Sequence, residues 1–106
     1  MPYPEVEYPP EILEMLAENV KGDTYEVFKL IWNSRKTGII KKQSSQATPS
    51  RRKYDRAIAI LEGAGFIFSI GDGRSLRYFP TVRGAQLKDY FIQKNKNLVK
   101  EDKLND

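Results

Sequence analysis

The amino-acid sequence predicts a mainly helical α+β domain that carries one small β-hairpin. Four segments repeat apolar residues at helical spacing between start and stop signals, which predicts four helices. The stretch "FIFSIGDGRSLRYF" instead shows two β-type runs around Gly71-Asp72-Gly73, which is typical of a hairpin. With 106 residues, of which 40% are apolar, the chain can bury one modest core but not two.

Three regions are predicted along the chain. Residues 1–9 are acidic and rich in proline, so they are expected to form an extended arm. Residues 10–93 are expected to form a single domain. The polar residues 94–106 are expected to form a tail in which the last helix frays.

The first two helices carry apolar residues suited to a core. Pro10 suits a first helical position, and the helix is expected to stop at Gly22. The second helix is expected to begin with a capping box, in which Asp23 is the cap and Glu26 its reciprocal partner. Its apolar residues form a surface too broad to leave in water: Val27, Phe28, Leu30, Ile31 and Trp32.

The next segment is harder to assign from sequence. Ile39-Ile40 is expected to be either a two-residue strand or the start of a helix, and "KKQSSQA" either a short helix or a polar loop.

The stretch "TPSRRKYDRAIAILEGAGFI" predicts a third long helix, over about residues 49–63. Pro49 is expected at its first position, with Thr48 or Ser50 as the cap. At 100° per residue, one arc faces the core and consists of Tyr54, Ala57, Ile58 and Leu61. The opposite side consists of Arg52, Lys53, Arg56 and Ala59. Gly63 or Gly65 is expected to end the helix in a left-handed conformation.

The hairpin is expected over about residues 66–79, with its second strand ended by Pro80, and the last helix begins from Thr81. This helix is the predicted dimer element, although its apolar residues could instead cover the core of their own domain. They are Leu87, Tyr90, Phe91 and Leu98.

Composition excludes several classes of function. The chain has no Cys and no His, so disulfides, ordinary zinc, copper or haem sites, and histidine-based catalysis are excluded. An enzyme is therefore not expected, and no cofactor, metal or small-molecule ligand is evident. The sequence lacks a membrane-spanning apolar run and the features of a signal peptide, which predicts a cytoplasmic protein without a membrane partner.

Charge is distributed unevenly. Seven acidic residues and one lysine lie in residues 1–26, whereas nine basic residues and one aspartate lie in residues 27–56. This asymmetry indicates a polyanion-binding middle and an acidic N-terminal segment, although an unevenly charged solvated surface is the alternative. One hypothesis is that the acidic arm lies over the basic face and competes with nucleic acid.

Over residues 23–91 the chain resembles a winged helix-turn-helix domain, without indicating a particular subfamily. "AILEGAGFI" resembles the frequent junction L-E-x-x-G-[LF]-I between recognition helix and wing. "TVRGAQL" is similar to the pattern LT-x-x-G-x-x-L that enters the following helix, and a hairpin of suitable length lies between them. The resemblance implies a three-helix core with a wing and flanking N- and C-terminal helices.

The resemblance also implies that the helix over about 49–63 enters the major groove of DNA, and that the wing contacts adjacent backbone or the minor groove. The candidate DNA-binding residues are Ser50, Arg51, Arg52, Lys53, Arg56, Lys41, Lys42, Gln43, Ser44, Ser45, Arg74 and Arg77. Some of these side chains could instead serve only the surface of the fold. Arg51 could solvate the helix end or pair with Asp55, Arg77 could lie over Phe79 or Tyr78, and Lys41 and Lys42 could be ordinary surface lysines.

The leading hypothesis is therefore sequence-specific binding of double-stranded DNA by a homodimeric transcriptional regulator that acts by occupying its site. Two alternatives stay open. The fold could serve as a protein–protein interaction module, or the basic face could belong to a non-specific nucleoid or replication accessory or an RNA-binding protein.

Overall fold

The computed structural model describes residues 6–48 and 50–104, except for the side chains of Lys42, Ala47, Arg74 and residues 96–104. Its helices are α1 (Pro10–Ala17), α2 (Asp23–Asn33), α3 (Lys41–Ser44), α4 (Arg51–Gly63) and α5 (Val82–Leu104). Its strands are β1 (Ile39–Ile40), β2 (Ile67–Ile70) and β3 (Arg77–Pro80). Short 3₁₀ turns follow α3 (Ser45–Ala47) and precede β3 (Gly73–Ser75). The predicted order of elements is confirmed.

The three strands form one antiparallel sheet in the order β1-β3-β2. Tyr78 of the central strand lies opposite Ile39 on one side and Ser69 on the other. Ile39-Ile40 is thus a strand, which settles one of the two open alternatives. Because β1 directly precedes α3, the sheet ties the start of that short helix to the predicted wing.

The core lies chiefly between α2 and α4, backed by the sheet and α5. The predicted inner arc of α4 is confirmed, because all four of its residues are buried: Tyr54, Ala57, Ile58 and Leu61. From α2, Val27, Phe28 and Ile31 are fully buried against them. Each large side chain removed from water in this way contributes roughly 1.5–3 kcal/mol to folding.

Two predicted helix starts are wrong. The cap of α2 is Gly22, with φ +60°, and none of the described side chains caps this helix. Asp23 is its first helical residue instead, and its carboxylate lies 3.7 Å from the Lys53 ammonium on α4. A negative charge in the first turn of a helix still interacts favourably with the helix dipole.

The start of α4 also differs from the prediction, because this helix begins at Arg51 rather than at Pro49. Ser50 has extended backbone angles, and its hydroxyl accepts a 3.3 Å hydrogen bond from the Lys53 N–H. Of the two candidate caps, Ser50 is therefore the one used. Pro49 lies outside the described residues.

The junctions around the hairpin follow the predicted pattern. Gly65 after α4 has a φ of +79°, as expected for a left-handed helix end. Thr81 lies just before α5, where its hydroxyl accepts from the Gly84 N–H at 3.1 Å and donates to the Gly65 carbonyl at 2.5 Å. This one side chain therefore joins the entry of α5 to the exit of α4. The backbone of α5 is helical as far as Leu104.

Residues 6–9 of the arm lie against the C-terminal end of α4 and the first turns of α5. The Tyr8 hydroxyl donates to the Ala64 carbonyl at 2.6 Å, and its backbone exchanges two hydrogen bonds with the Gln86 amide. The Arg83 guanidinium stacks 4.1 Å from the centre of the Tyr8 ring. This part of the arm therefore does not lie over the basic first turns of α4, and residues 1–5 are outside the described residues. In the described chain, no helix has the length and apolar character needed to cross a membrane.

Candidate nucleic-acid interface

The N-terminal turns of α4 present a compact positive surface, which we call the basic end of α4. It consists of four exposed residues: Arg51, Arg52, Lys53 and Arg56. The buried arc on the other side of the helix fixes which side faces outward. Because the free N–H groups of a helix start carry partial positive charge, the backbone adds to the field of these side chains.

Ion pairs engage part of this surface. Arg51 lies 4.0 Å and Lys41 3.9 Å from the Asp55 carboxylate, and Lys53 reaches Asp23 of α2. The alternative pairing of Arg51 with Asp55 is thus present. All these groups are exposed, and such pairs are worth about 0–1 kcal/mol, so a phosphate could replace either aspartate.

Arg52 and Arg56 differ from their neighbours. Within the described part of the chain, neither guanidinium has an ion-pair partner, although both are exposed. They are four residues apart, so they lie one above the other about 6 Å apart along the same side of α4. Two unpaired arginines on one outward face are suited to anionic or guanine-like acceptors.

The segment before α4 offers fewer side chains to nucleic acid than the sequence predicts. Lys41 and Gln43 are exposed and Ser45 is half-buried. Ser44 is fully buried, and its hydroxyl lies 2.6 Å from the Tyr54 hydroxyl of α4. The prediction that Ser44 contacts DNA is therefore wrong, because it presents no surface to a phosphate. The side chain of Lys42 lies outside the described residues.

The hairpin closes through a tight tip. The Asp72 N–H donates to the Ser75 hydroxyl at 3.4 Å, and that hydroxyl donates back to the Asp72 carbonyl at 2.8 Å. The side chain of Arg74, at this tip, lies outside the described residues. Arg77 donates to the Gly38 carbonyl at 3.2 Å and has no ring contact with Phe79 or Tyr78 among the described residues, so the cation–π alternative is wrong. Its side chain is exposed beside β1.

The proposed dimer residues of α5 divide into three groups. Leu87 is fully buried in the core of its own chain, so it has no surface left for a partner, and its prediction as a dimer contact is wrong. Tyr90 and Phe91 are half-buried, and Phe91 packs edge-on against Tyr25 at 4.8 Å between ring centres. They line an open groove of about 670 Å³ between α5 and the α1–α2 connection. Leu98 lies outside the described side chains.

One feature that sequence reasoning missed is the polar junction behind the basic end of α4. Tyr54 is predicted by its spacing as a core residue and Tyr78 falls in the second predicted strand, and both are buried. Their hydroxyls nevertheless interact with each other, and burial raises the pKa of Tyr78 to about 12 and also raises the pKa of Tyr54. A tyrosine rather than a phenylalanine on an inner arc was the available signal, because a buried phenol needs a hydrogen-bond partner.

Comparison with known proteins shows the fold. No protein-family model matches the chain, and a search of curated proteins also gives no match. Among solved structures, the chain is similar to an uncharacterised SlyA-like transcription regulator from Listeria monocytogenes, with a TM-score of 0.58 and 23% sequence identity. The match covers 82% of this chain and 63% of that chain, so this chain spans less than two thirds of the regulator's length. The winged-helix fold indicated by the sequence resemblance is thereby confirmed.

Proposed function

We propose that this protein binds double-stranded DNA sequence-specifically and acts as a transcriptional regulator by occupying its site. The observation that carries the proposal is the basic end of α4, where Arg52 and Arg56 are exposed and unpaired among the described residues. The similar solved structure is described as a transcription regulator, which supports the same class of function.

In this proposal α4 lies in the major groove with its N-terminal turns towards the bases. Arg52 and Arg56 would read guanine through bidentate hydrogen bonds to O6 and N7, and each good pair is worth about 1–3 kcal/mol of discrimination. Arg51, Lys53 and Lys41 would exchange their aspartate partners for phosphates, which positions the protein without specifying sequence. The hairpin would follow the adjacent backbone as a wing, with Arg77 at its base.

We further propose that two copies bind together. The half-buried rings of Tyr90 and Phe91 line an open groove, and the helical backbone of α5 continues for thirteen residues beyond Phe91, to Leu104. A second copy packed there would double the phosphate contacts and require half-sites about one helical turn of DNA apart. Sedimentation equilibrium of the protein with and without a two-half-site duplex tests this arrangement.

A protein-binding role has one specific observation in its favour. Met15 is 60% and Ile12 40% exposed on α1, and the glutamates Glu11, Glu14 and Glu18 lie on the same short stretch. An acidic surface with exposed apolar residues suits a basic protein partner and repels DNA. Because this surface is separate from the basic end of α4, the two roles predict different sensitive residues.

The decisive experiment is a fluorescence-anisotropy titration with a random duplex and with a duplex enriched by selection, at several salt concentrations. For six phosphate contacts, the logarithm of the binding constant should fall against the logarithm of salt with a slope of about −5. The double variant R52A/R56A should lose roughly tenfold or more of its preference for the enriched duplex. R35A/K36A removes the same charge from exposed positions outside α3, α4, the wing and the proposed dimer groove, and it is the matched control.

Three outcomes have distinct meanings. Absence of salt-dependent DNA binding would refute the proposal and favour the surface of α1. Equal affinity for both duplexes would favour a non-specific accessory role. An unchanged preference in a folded R52A/R56A protein would show that the recognition face has been placed wrongly.

A further inference from the structure

The helix α3 lacks the apolar side chains by which a helix packs beneath its neighbour. It is a single turn, Lys41–Ser44, followed by a 3₁₀ turn, and residues 41–46 contain no apolar side chain. A segment of this composition has little hydrophobic free energy to hold it in place. It nevertheless packs against α2 and β1, and the 3₁₀ turn that follows it packs against α2 and α4.

Ser44 is the residue of this segment whose side chain enters the interior. Its side chain is fully buried, and its Oγ lies 2.6 Å from the Tyr54 hydroxyl, with the Lys41 and Ile40 carbonyls at 3.3 and 3.4 Å. The hydroxyls of Tyr54 and of Tyr78, on the central strand, also interact with each other. Three hydroxyls therefore meet where α3, α4 and β3 converge, and we call them the hydroxyl junction.

One arrangement of protons satisfies all three hydroxyls. Tyr54 donates to Ser44 and Ser44 donates to a carbonyl of its own turn, which leaves the Tyr54 oxygen able to accept from the Tyr78 hydroxyl. Both phenols are protonated at neutral pH, since the ordinary pKa of tyrosine is about 10 and burial raises it further for both residues. A missing member would leave its neighbour buried without a partner, and an unsatisfied buried polar group is costly.

We propose that the hydroxyl junction of Ser44, Tyr54 and Tyr78 is a positioning network that sets the angle of α4 relative to α3 and the wing. It takes the place of the apolar anchors that α3 lacks. The inference rests on the proposed function, since the angle matters through the two arginines that α4 would present to DNA. None of the three hydroxyls touches DNA, because all three side chains are buried.

The position of Tyr54 explains why a small change there would be felt at the interface. It lies between Arg52 and Arg56 in sequence and on the opposite side of the same helix. Bidentate recognition of a base requires close alignment, whereas contacts with phosphate tolerate movement. Loss of the junction should therefore reduce discrimination between sequences while sparing affinity for random DNA.

The test compares S44A, Y54F and the double variant S44A/Y54F with the control Y8F. Tyr8 is half-buried and its hydroxyl donates to the Ala64 carbonyl at 2.6 Å, so Y8F removes a hydrogen-bonded phenol outside the junction and outside the proposed dimer groove. Two measurements are made on each protein. Amide hydrogen exchange is followed without DNA, and affinity is measured for the enriched and the random duplex.

In S44A and Y54F, amides of residues 41–47 should exchange about tenfold faster, as expected for loss of one buried hydrogen bond, while α2 stays protected. Preference for the enriched duplex should fall about tenfold with random-duplex affinity unchanged, and the double variant should lose no more than either single variant. A merely structural loss would lower both affinities together, because it would only reduce the folded fraction.

If S44A and Y54F show the same amide exchange in residues 41–47 and the same preference for the enriched duplex as Y8F, the inference is overturned. Faster amide exchange with an unchanged preference for the enriched duplex would overturn the link between the junction and recognition. If the losses of preference in S44A and Y54F add up in the double variant, the hydroxyls do not act as one unit. If S44A does not fold, Y78F is measured in the same two assays instead. It removes only the terminal donor and tests the connection between α4 and β3. If the wild-type protein binds no DNA, the proposed function fails by itself, and the exchange data alone decide whether the junction positions α3.

Discussion

Gly84 provides a sharp test of how the wing is joined to the last helix. It lies in the first turn of α5, where the backbone passes close to the carbonyl of Phe66 at the start of the hairpin. A Cβ at position 84 would overlap that carbonyl oxygen and stand 3.2 Å from the Pro80 Cβ. The carbonyl has little freedom to retreat, because it accepts a 3.0 Å hydrogen bond from the Thr81 N–H.

The expected size of the effect follows from these contacts. Overpacking costs about 1–3 kcal/mol, and weakening the Thr81 hydrogen bond costs about 1 kcal/mol more. Replacing a helical glycine by alanine returns up to about 1 kcal/mol. G84A should therefore lower the free energy of unfolding by roughly 1–3 kcal/mol.

Gly63 offers the matched control for the same chemical change. It is also helical, it is exposed in the last turn of α4, and an added Cβ would meet nothing within 4 Å. G63A should therefore raise the free energy of unfolding by about 0.4–1 kcal/mol. Urea denaturation followed by far-ultraviolet circular dichroism measures both variants.

The reasoning requires the free energy of unfolding to fall in G84A and to rise in G63A. If G84A is as stable as the wild type, the backbone contact between α5 and the hairpin is not as tight as the structure has it. If G63A loses as much as G84A, the effect comes from glycine replacement in general, and the argument from close approach fails.

Three further predictions concern stability. Burial raises the pKa of Tyr78 from 10.0 to about 12, so the stability contributed by its buried neutral phenol is complete below pH 10 and is lost as the pH rises towards 12. The free energy of unfolding in urea should therefore fall by roughly 2–3 kcal/mol across this range, and by less in Y78F. Equal pH slopes for the two proteins would contradict this. Leu61 is fully buried, so L61A should cost about 3–5 kcal/mol in the same assay, and a loss below 1 kcal/mol would place the core elsewhere. Y8F removes the 2.6 Å hydrogen bond to Ala64 and should cost about 0.5–1.5 kcal/mol while leaving DNA affinity unchanged, so a changed affinity would show that the arm acts on recognition.

Much of the fold could be predicted from the sequence because its strongest signals are periodic and local. A spacing of 100° per residue identified the inner arc of α4, and all four residues are buried. Gly71-Asp72-Gly73 identified the hairpin because few sequences other than glycine-rich ones turn so tightly. The junction motif around Gly65 and Gly84 was identified by resemblance, and the structure supplies its physical reason: a left-handed turn and a close backbone approach.

The predictions that failed depend on contacts between distant segments. Asp23 is a sound cap by local rules, but Gly22 takes that place and the aspartate faces Lys53 of another helix. Ser44 resembles a phosphate-binding serine by local rules, since its neighbours are polar and basic. Only the fold shows that Tyr54 lies above it. One sequence does not distinguish an exposed hydroxyl from one that satisfies a buried partner.

The basic end of α4 lies away from the contacts that fix the position of this helix. Its N-terminal half is held from behind by the Tyr54 hydroxyl, and its C-terminal end by Tyr8 on the Ala64 carbonyl and by Thr81 on the Gly65 carbonyl. Contacts from the arm and from α5 therefore occupy the far end of the helix. The outward face of the first two turns carries none of these contacts, so positive charge there can act on a polyanion without disturbing them.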